Sequence, residues 1–174
     1  MRRPRFTILI LTLAALGATA VAAGKDATYN LVGWRTLDMT PGRIVASGGA
    51  PRISSDDGKL NLSAGRLVLT MSKAKGRETL ATVEATGQVK LRAAQSQDLA
   101  MEATCRKAVV RPSEQRAELS GNVKVKSWDK ARFSGPLTLS GETVTLYFKE
   151  GRVVATSPSA GGRFSVSPKS AGRR

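Results

Sequence analysis

The stretch Arg116-Ala117-Glu118-Leu119-Ser120-Gly121-Asn122-Val123-Lys124-Val125-Lys126, followed after a turn by Gly135-Pro136-Leu137-Thr138-Leu139-Ser140-Gly141-Glu142-Thr143-Val144-Thr145-Leu146-Tyr147-Phe148, decides the fold class. Ala117, Leu119, Gly121, Val123 and Val125 alternate strictly with Glu118, Ser120, Asn122, Lys124 and Lys126. A side-chain period of two belongs to a strand with one face buried and one in water, not to a helix.

Working outward, the same unit recurs. Thr82-Val83-Glu84-Ala85-Thr86-Gly87-Gln88-Val89-Lys90-Leu91 precedes it by 34 residues (Gly87 to Gly121), with Glu84 mapping onto Glu118. Gly42 to Gly48 reads as a turn and a short strand, and a last, weaker copy begins at Gly151 and reaches Gly162 to Val166. A second element alternates with the first. Leu60-Asn61-Leu62-Ser63 leads into Leu67-Val68-Leu69, as Leu137-Thr138-Leu139-Ser140 leads into Val144-Thr145-Leu146. In both, the apolar phase jumps by five residues across a glycine, Gly65 or Gly141. An odd step would swap faces in a straight strand, so a bulge, bend or corner is expected there. Leu99, Met101 and Ala103, then Ala108 and Val110, form a degenerate middle copy. Turn signals such as Ser55-Asp56-Asp57-Gly58, Pro112-Ser113 and Glu150-Gly151 punctuate the chain about every ten residues. No helical period stands out beyond the N-terminal segment. The prediction is an all-β fold: repeated short antiparallel strands in a twisted, open β-jellyroll or two-sheet stack, each unit burying its apolar face on its neighbours.

The ends read differently. Residues 1–23 have the form of an export signal: Arg2, Arg3 and Arg5, an apolar run from Phe6 to Leu16, then small residues up to Ala23. The apolar stretch is also near the lower limit for a membrane span, so cleaved signal and retained anchor are both open. Residues 24–41 form a lead-in, 42–167 the β-repeat domain, and 168–174 a loose basic tail.

Composition narrows the chemistry. There is no histidine, the commonest general acid/base and metal ligand. The single cysteine, Cys105, has no intrachain partner for a disulfide and reads as a small apolar residue in or beside a strand. No metal-ligand spacing, nucleophile triad or phosphate loop is present, so neither catalysis nor a cofactor is expected. Aligned Glu84 and Glu118 read as exposed strand residues rather than an acid/base pair. The net charge is +15, falling to +12 if the segment carrying Arg2, Arg3 and Arg5 is removed. Such a balance favours phosphate-bearing partners without choosing among nucleic acid, anionic lipid and glycolipid. Aromatics are only 5% of the residues, too few for clustered base stacking, which argues against nucleic acid.

Three segments carry a family resemblance: Ala85-Thr86-Gly87-Gln88-Val89-Lys90-Leu91, Leu119-Ser120-Gly121-Asn122-Val123-Lys124-Val125 and Leu139-Ser140-Gly141-Glu142-Thr143-Val144-Thr145-Leu146-Tyr147. Their order resembles the OstA-like or LptA-like family, the periplasmic bridge proteins of lipopolysaccharide transport, over about residues 42–167. Gly48-Gly49-Ala50-Pro51, where a cleaner strand is expected, and the strong basicity are departures. The resemblance implies an open jellyroll, an apolar groove for acyl chains, and stacking with other OstA-like components or with copies of the chain by strand addition. On that reading the groove lining is Val83, Ala85, Val89, Leu91, Leu119, Val123, Val125, Leu137, Leu139, Val144, Leu146 and Phe148. The same residues would equally fill a closed core. Lys90, Arg92, Lys124 and Lys126, on the opposite face, are candidates for contact with lipid phosphates or an ordinary solvated face. A lipid-transport scaffold leads the alternatives, an exported polyanion binder and a cargo-free structural β-repeat.

Overall fold

The computed structural model describes residues 18–20, 28–74, 77–94, 96, 98–129, 134–156 and 163–165. Thirteen strands form one antiparallel sheet: β1 Ala18–Ala20, β2 Tyr29–Val32, β3 Thr36–Thr40, β4 Arg43–Ser47, β5 Arg52–Ser55, β6 Leu60–Ser63, β7 Arg66–Ala74, β8 Arg77–Ala94, β9 Leu99–Arg111, β10 Arg116–Asp129, β11 Leu137–Tyr147, β12 Arg152–Thr156 and β13 Arg163–Ser165. The 3-10 turn Pro112–Glu114 joins β9 to β10. Apart from β1, the expected signal lies outside the described residues, as does the basic tail. Ala18–Ala20 pair with Tyr29–Leu31.

The pairing resolves into an up-and-down series of bent rungs. The first half of β8 pairs with β7, which pairs with β4 and then β3. The second half of β8 pairs instead with β6, which pairs with β5 and then β2. Thus β2–β3, β4–β5 and β6–β7 are broken rungs, and β8, β9, β10 and β11 are continuous ones. The last rung is broken again: β12 and β13 pair with opposite halves of β11. One sheet folded along a line therefore supplies both walls of the expected two-sheet stack.

The fold line is written in the register shifts. They fall between Thr86 and Val89 in β8, and between Ser120 and Val123 in β10 against β11. On β9, Cys105 and Lys107 flank the same line. The five-residue phase jumps mark it too: Leu62 and Leu67, and Ala103 and Ala108, are buried on either side of their corners. Gly48-Gly49-Ala50-Pro51, anomalous as a strand, is the corner of the second rung. Residues of the expected lead-in, Tyr29 to Thr40, make up the first rung, with Tyr29 and Leu31 buried and Trp34 and Leu37 packed against the core.

In β8 and β10 the corner has a different chemistry. Gly87 and Gly121 have φ of 78° and 80°, followed by Gln88 at 48° and Asn122 at 53°. Two successive left-handed residues turn the strand and return it to the same apolar phase. Val83, Ala85, Val89 and Leu91 are all buried, as are Ala117, Leu119, Val123 and Val125. The Gly-Gln-Val and Gly-Asn-Val segments are thus corner motifs. Glycine meets no Cβ penalty in this region, and asparagine tolerates it better than most residues. A Cβ on Gly121 would also lie 2.9 Å from Cβ of Arg106, whose stem crosses the corner. Where rungs are broken, backbone bonds stitch the line: Arg35 N–H to Ser47 O (3.0 Å), Ala64 N–H to Pro51 O (3.1 Å) and Gly65 N–H to Gly87 O (2.7 Å).

Gly121→Ala is expected to destabilise the fold by about 1–3 kcal/mol, combining the left-handed penalty with the Arg106 collision. Asn122→Gly should be near neutral, whereas Asn122→Val should lose about 1–2 kcal/mol. Urea denaturation of the three variants checks this ordering; equal values for Gly and Val at position 122 would remove the corner explanation.

Candidate functional site: the space between the sheet halves

The rungs from β2 to β11 send alternate side chains into the space between the two halves. Nine of the twelve sequence-predicted lining residues are fully buried there: Val83, Ala85, Val89, Leu91, Leu119, Val123, Val125, Val144 and Leu146, none more than 2% exposed. Leu137, Leu139 and Phe148 are only partly buried. These three sit toward the C-terminal end of the series, and Leu139, Phe148 and Val153 pack on the edge of the core. Closure therefore weakens along the rungs, from a filled interior around β6 to β10 to a looser margin at β11 and β12.

The interior is chemically uniform. Among the described residues, Ser55 is the sole buried polar residue. Its hydroxyl donates to Asp57 Oδ1 (2.6 Å) and accepts from the Leu60 N–H (2.9 Å) within the turn joining β5 to β6. The Ser55 hydroxyl, with the Lys59 backbone N–H (3.0 Å) and ammonium (2.9 Å), holds the Asp57 pKa down to about 2. That network belongs to a turn, not to the interior. Tyr29, Leu31, Ile53 and Leu62, absent from the predicted lining, complete the inner surface of one wall. Tyr29 and Leu31 were obscured by the lack of a clear period across the first corner; Ile53 and Leu62 followed the alternation and were readable from it.

The basic candidates do not share this space. Lys90, Arg92, Lys124 and Lys126 alternate with Val89, Leu91, Val123 and Val125, so they stand exposed on the outer surface of the same wall. Cross-strand register places Lys90, Thr104 and Lys124 in one row, and Arg92, Glu102 and Lys126 in the next. Arg92 approaches Glu102 at 3.8 Å. The predicted lining and the predicted phosphate contacts thus occupy opposite faces of one sheet rather than one site.

Two other clusters have structural explanations. Glu118 receives Arg111 at 3.1 Å and also Arg116, while Arg152 lies over the Tyr147 ring with its guanidinium 4.0 Å from the centroid. Glu114, Glu118 and Glu150 offset Arg111, Arg116 and Arg152, so this cluster clamps neighbouring rungs. Glu84 sits across β9 from Glu118, with Val109 between them. Cys105 is buried at the β9 corner, its thiol donating to the Lys107 carbonyl (3.2 Å). Burial pushes the thiol pKa up to about 11. Among the described residues, no group of three His, Cys, Asp or Glu side chains could hold a metal ion, and no helix is long and apolar enough to cross a membrane.

Residues 35–152 match the family described as LptA/(LptD N-terminal domain) LPS transport protein, a span covering most of the chain. The chain belongs to this family. Among solved structures it is similar to LptH, the LptA homologous periplasmic component of the lipopolysaccharide transport device from Pseudomonas aeruginosa. That likeness has a TM-score of 0.63 at 16% identity, covering 79% of this chain and 92% of the other. At this identity it shows a shared fold. No curated protein matches the chain in sequence.

Cys105 is expected to remain a neutral, unreactive thiol in the folded protein at pH 7–8. Its contribution to stability is fully present below the unfolded value near 9 and is lost as pH rises through about 11. Thiol-reagent kinetics with and without denaturant check this; rapid modification of the native protein would contradict the burial.

Proposed function

We propose that the protein is a non-catalytic periplasmic carrier in lipopolysaccharide transport, holding acyl chains against the apolar inner surface of its folded sheet. The observation that carries this reading is the uninterrupted apolar character of that surface across β2 to β12. A sliding acyl chain needs no reactive group. It needs a path without unpaired polar atoms, each of which would cost about 1–3 kcal/mol, and it gains about 0.8 kcal/mol per buried CH₂. Family membership supports lipopolysaccharide as the cargo class. The partly buried Leu139 and Phe148 mark the margin where chains enter, and residues such as Val123 and Leu146 become lining as the halves part. The saccharide and phosphates then leave through the mouth between the turn ends, away from Lys90 and Lys124.

A photo-crosslinking side chain at Leu139 or Phe148 is expected to capture lipopolysaccharide in cells, whereas the same group at outward-facing Thr104 is not. Capture at Thr104 alone, or at none of the three, would sink the carrier reading.

The sheet also offers docking edges. Among the described strands, β3 and β12 each pair on one side only, and both are largely exposed, with Met39 and Val154 at 51% and 43%. Unpaired edges invite strand addition by a second copy or a related transport component. Sedimentation velocity should show oligomers growing with concentration. Met39→Lys combined with Val154→Lys should reduce them by setting like charges across a β3-to-β12 contact. A wild-type monomer at all concentrations would exclude self-assembly.

A further inference from the structure

The fold line has an outer side as well as an inner one, and it is lined with cations. Arg35 lies at the corner of the first rung. Arg52 follows the corner of the second and Arg66 that of the third. Lys90 stands two residues past the corner of β8, Arg106 and Lys107 flank the corner of β9, and Lys124 stands two residues past the corner of β10. All seven are exposed. Register aligns five of them, and Arg35 and Arg106 sit at the corners themselves. Arg52, Ser63, Lys90, Thr104 and Lys124 form the row on one side of the line. Arg66, Thr86, Lys107 and Ser120 form the row on the other. Each of six consecutive rungs therefore contributes at least one positive charge.

None of the seven is ion-paired to a described residue. The nearby acids on the adjoining rows are mostly engaged: Glu102 with Arg92, and Glu118 with Arg111 and Arg116. Glu84 and, at the far end of the same row, Asp38 have no ion-pair partner among the described residues, and Glu142 stands exposed at the β11 corner, where the cationic series stops. Rungs repeat at the strand spacing of about 4.8 Å, so the series spans roughly 24 Å. Its spacing is fixed by backbone pairing rather than by flexible segments. The Gly121 corner admits the Arg106 stem, tying the ridge to the fold itself.

The geometry points to this convex ridge as an electrostatic docking edge for an anionic membrane surface. Discrete ligands bind in concave sites that enclose them, and the outside of a bend encloses nothing. A ridge can, however, lie along a plane, and a row of unpaired cations over an anionic bilayer gains from each charge near the surface. No aromatic or large apolar side chain belongs to the ridge, so the contact is adsorption without insertion. Docking by this edge would leave the mouth between the halves and the β3 and β12 edges free. It does not depend on the cargo assigned above.

Flotation of the full chain with phosphatidylglycerol/phosphatidylcholine vesicles, against pure phosphatidylcholine vesicles, tests the assignment. The neutral vesicles report any association through the apolar N-terminal segment. Binding specific to the anionic vesicles is expected, weakening as salt is raised. The triple variant Lys90→Gln, Lys107→Gln, Lys124→Gln should lose this component by about tenfold or more. The charge-matched triple Arg43→Gln, Lys73→Gln, Lys149→Gln, also at exposed positions but off the ridge, should lose less than about threefold. Thermal unfolding would verify that both triples fold. Equal losses would show that net charge alone acts, and absence of anionic-vesicle binding would remove the proposal. A ridge triple that loses heparin binding while keeping vesicle binding would reassign the ridge to soluble polyanions and overturn the membrane assignment.

Discussion

A strand that crosses from one wall to the other must change direction without losing its ladder or turning its apolar side chains to water. The rest of the molecule depends on that constraint being met at the same place on every rung. The chain meets it in three ways. Short strand pairs break at glycine-containing corners and rejoin through backbone bonds such as Gly65 N–H to Gly87 O. Rungs β9 and β11 pass the corner with an odd step, so burial shifts from Ala103 and Cys105 to Ala108, or to Val144. Rungs β8 and β10 use a left-handed pair, Gly87-Gln88 or Gly121-Asn122, that restores the original phase. A bulge of two residues on β8 or β10 faces the single residue Arg106 on β9, or Glu142 on β11. Adjacent rungs thus need complementary corners, and an insertion in one would throw its neighbours out of register.

Much of this was legible. Period-two alternation implies the all-β class, and the five-residue jumps at Gly65 and Gly141 imply corners. The glycine-centred corners of β8 and β10 were harder to see because two left-handed residues preserve parity: Val83, Ala85, Val89 and Leu91 look like one straight strand. The clue lay in setting Gly87 and Gly121 beside Gly65 and Gly141, since all four must fall on one line for the rungs to stack. Residues 28–40 resisted reading for a related reason. Their rung consists of two short strands split at Gly33-Trp34-Arg35, too short on either side for a period to emerge. At the site, alternation identified the inner face correctly at Val89 and Val123. It could not show how tightly the halves close, because that depends on contacts between walls far apart in sequence.

The separation of apolar and charged surfaces follows from the same alternation. Val89 faces inward because Lys90 faces outward, and the bend makes the difference larger than in a flat sheet. Inner side chains converge on the opposite wall, while outer ones diverge along a convex line. Positive charge placed on the outer face is kept apart from the interior by the thickness of the sheet. A strongly basic chain can therefore keep a wholly apolar inner surface without burying a lysine or arginine.

This division also limits what the interior can do. With Ser55 confined to a turn and Cys105 held as a neutral thiol, the described interior offers neither a nucleophile nor a general base. Selectivity for a guest would have to come from the length, number and shape of apolar chains, as apolar burial discriminates by area more than by chemical identity. On the carrier function proposed above, a polar headgroup would have to be recognised outside that interior or on a partner. That would give such a fold a physical reason to act in series with others: each copy would shelter hydrocarbon, and the polar part of the cargo would be read where the shelter ends.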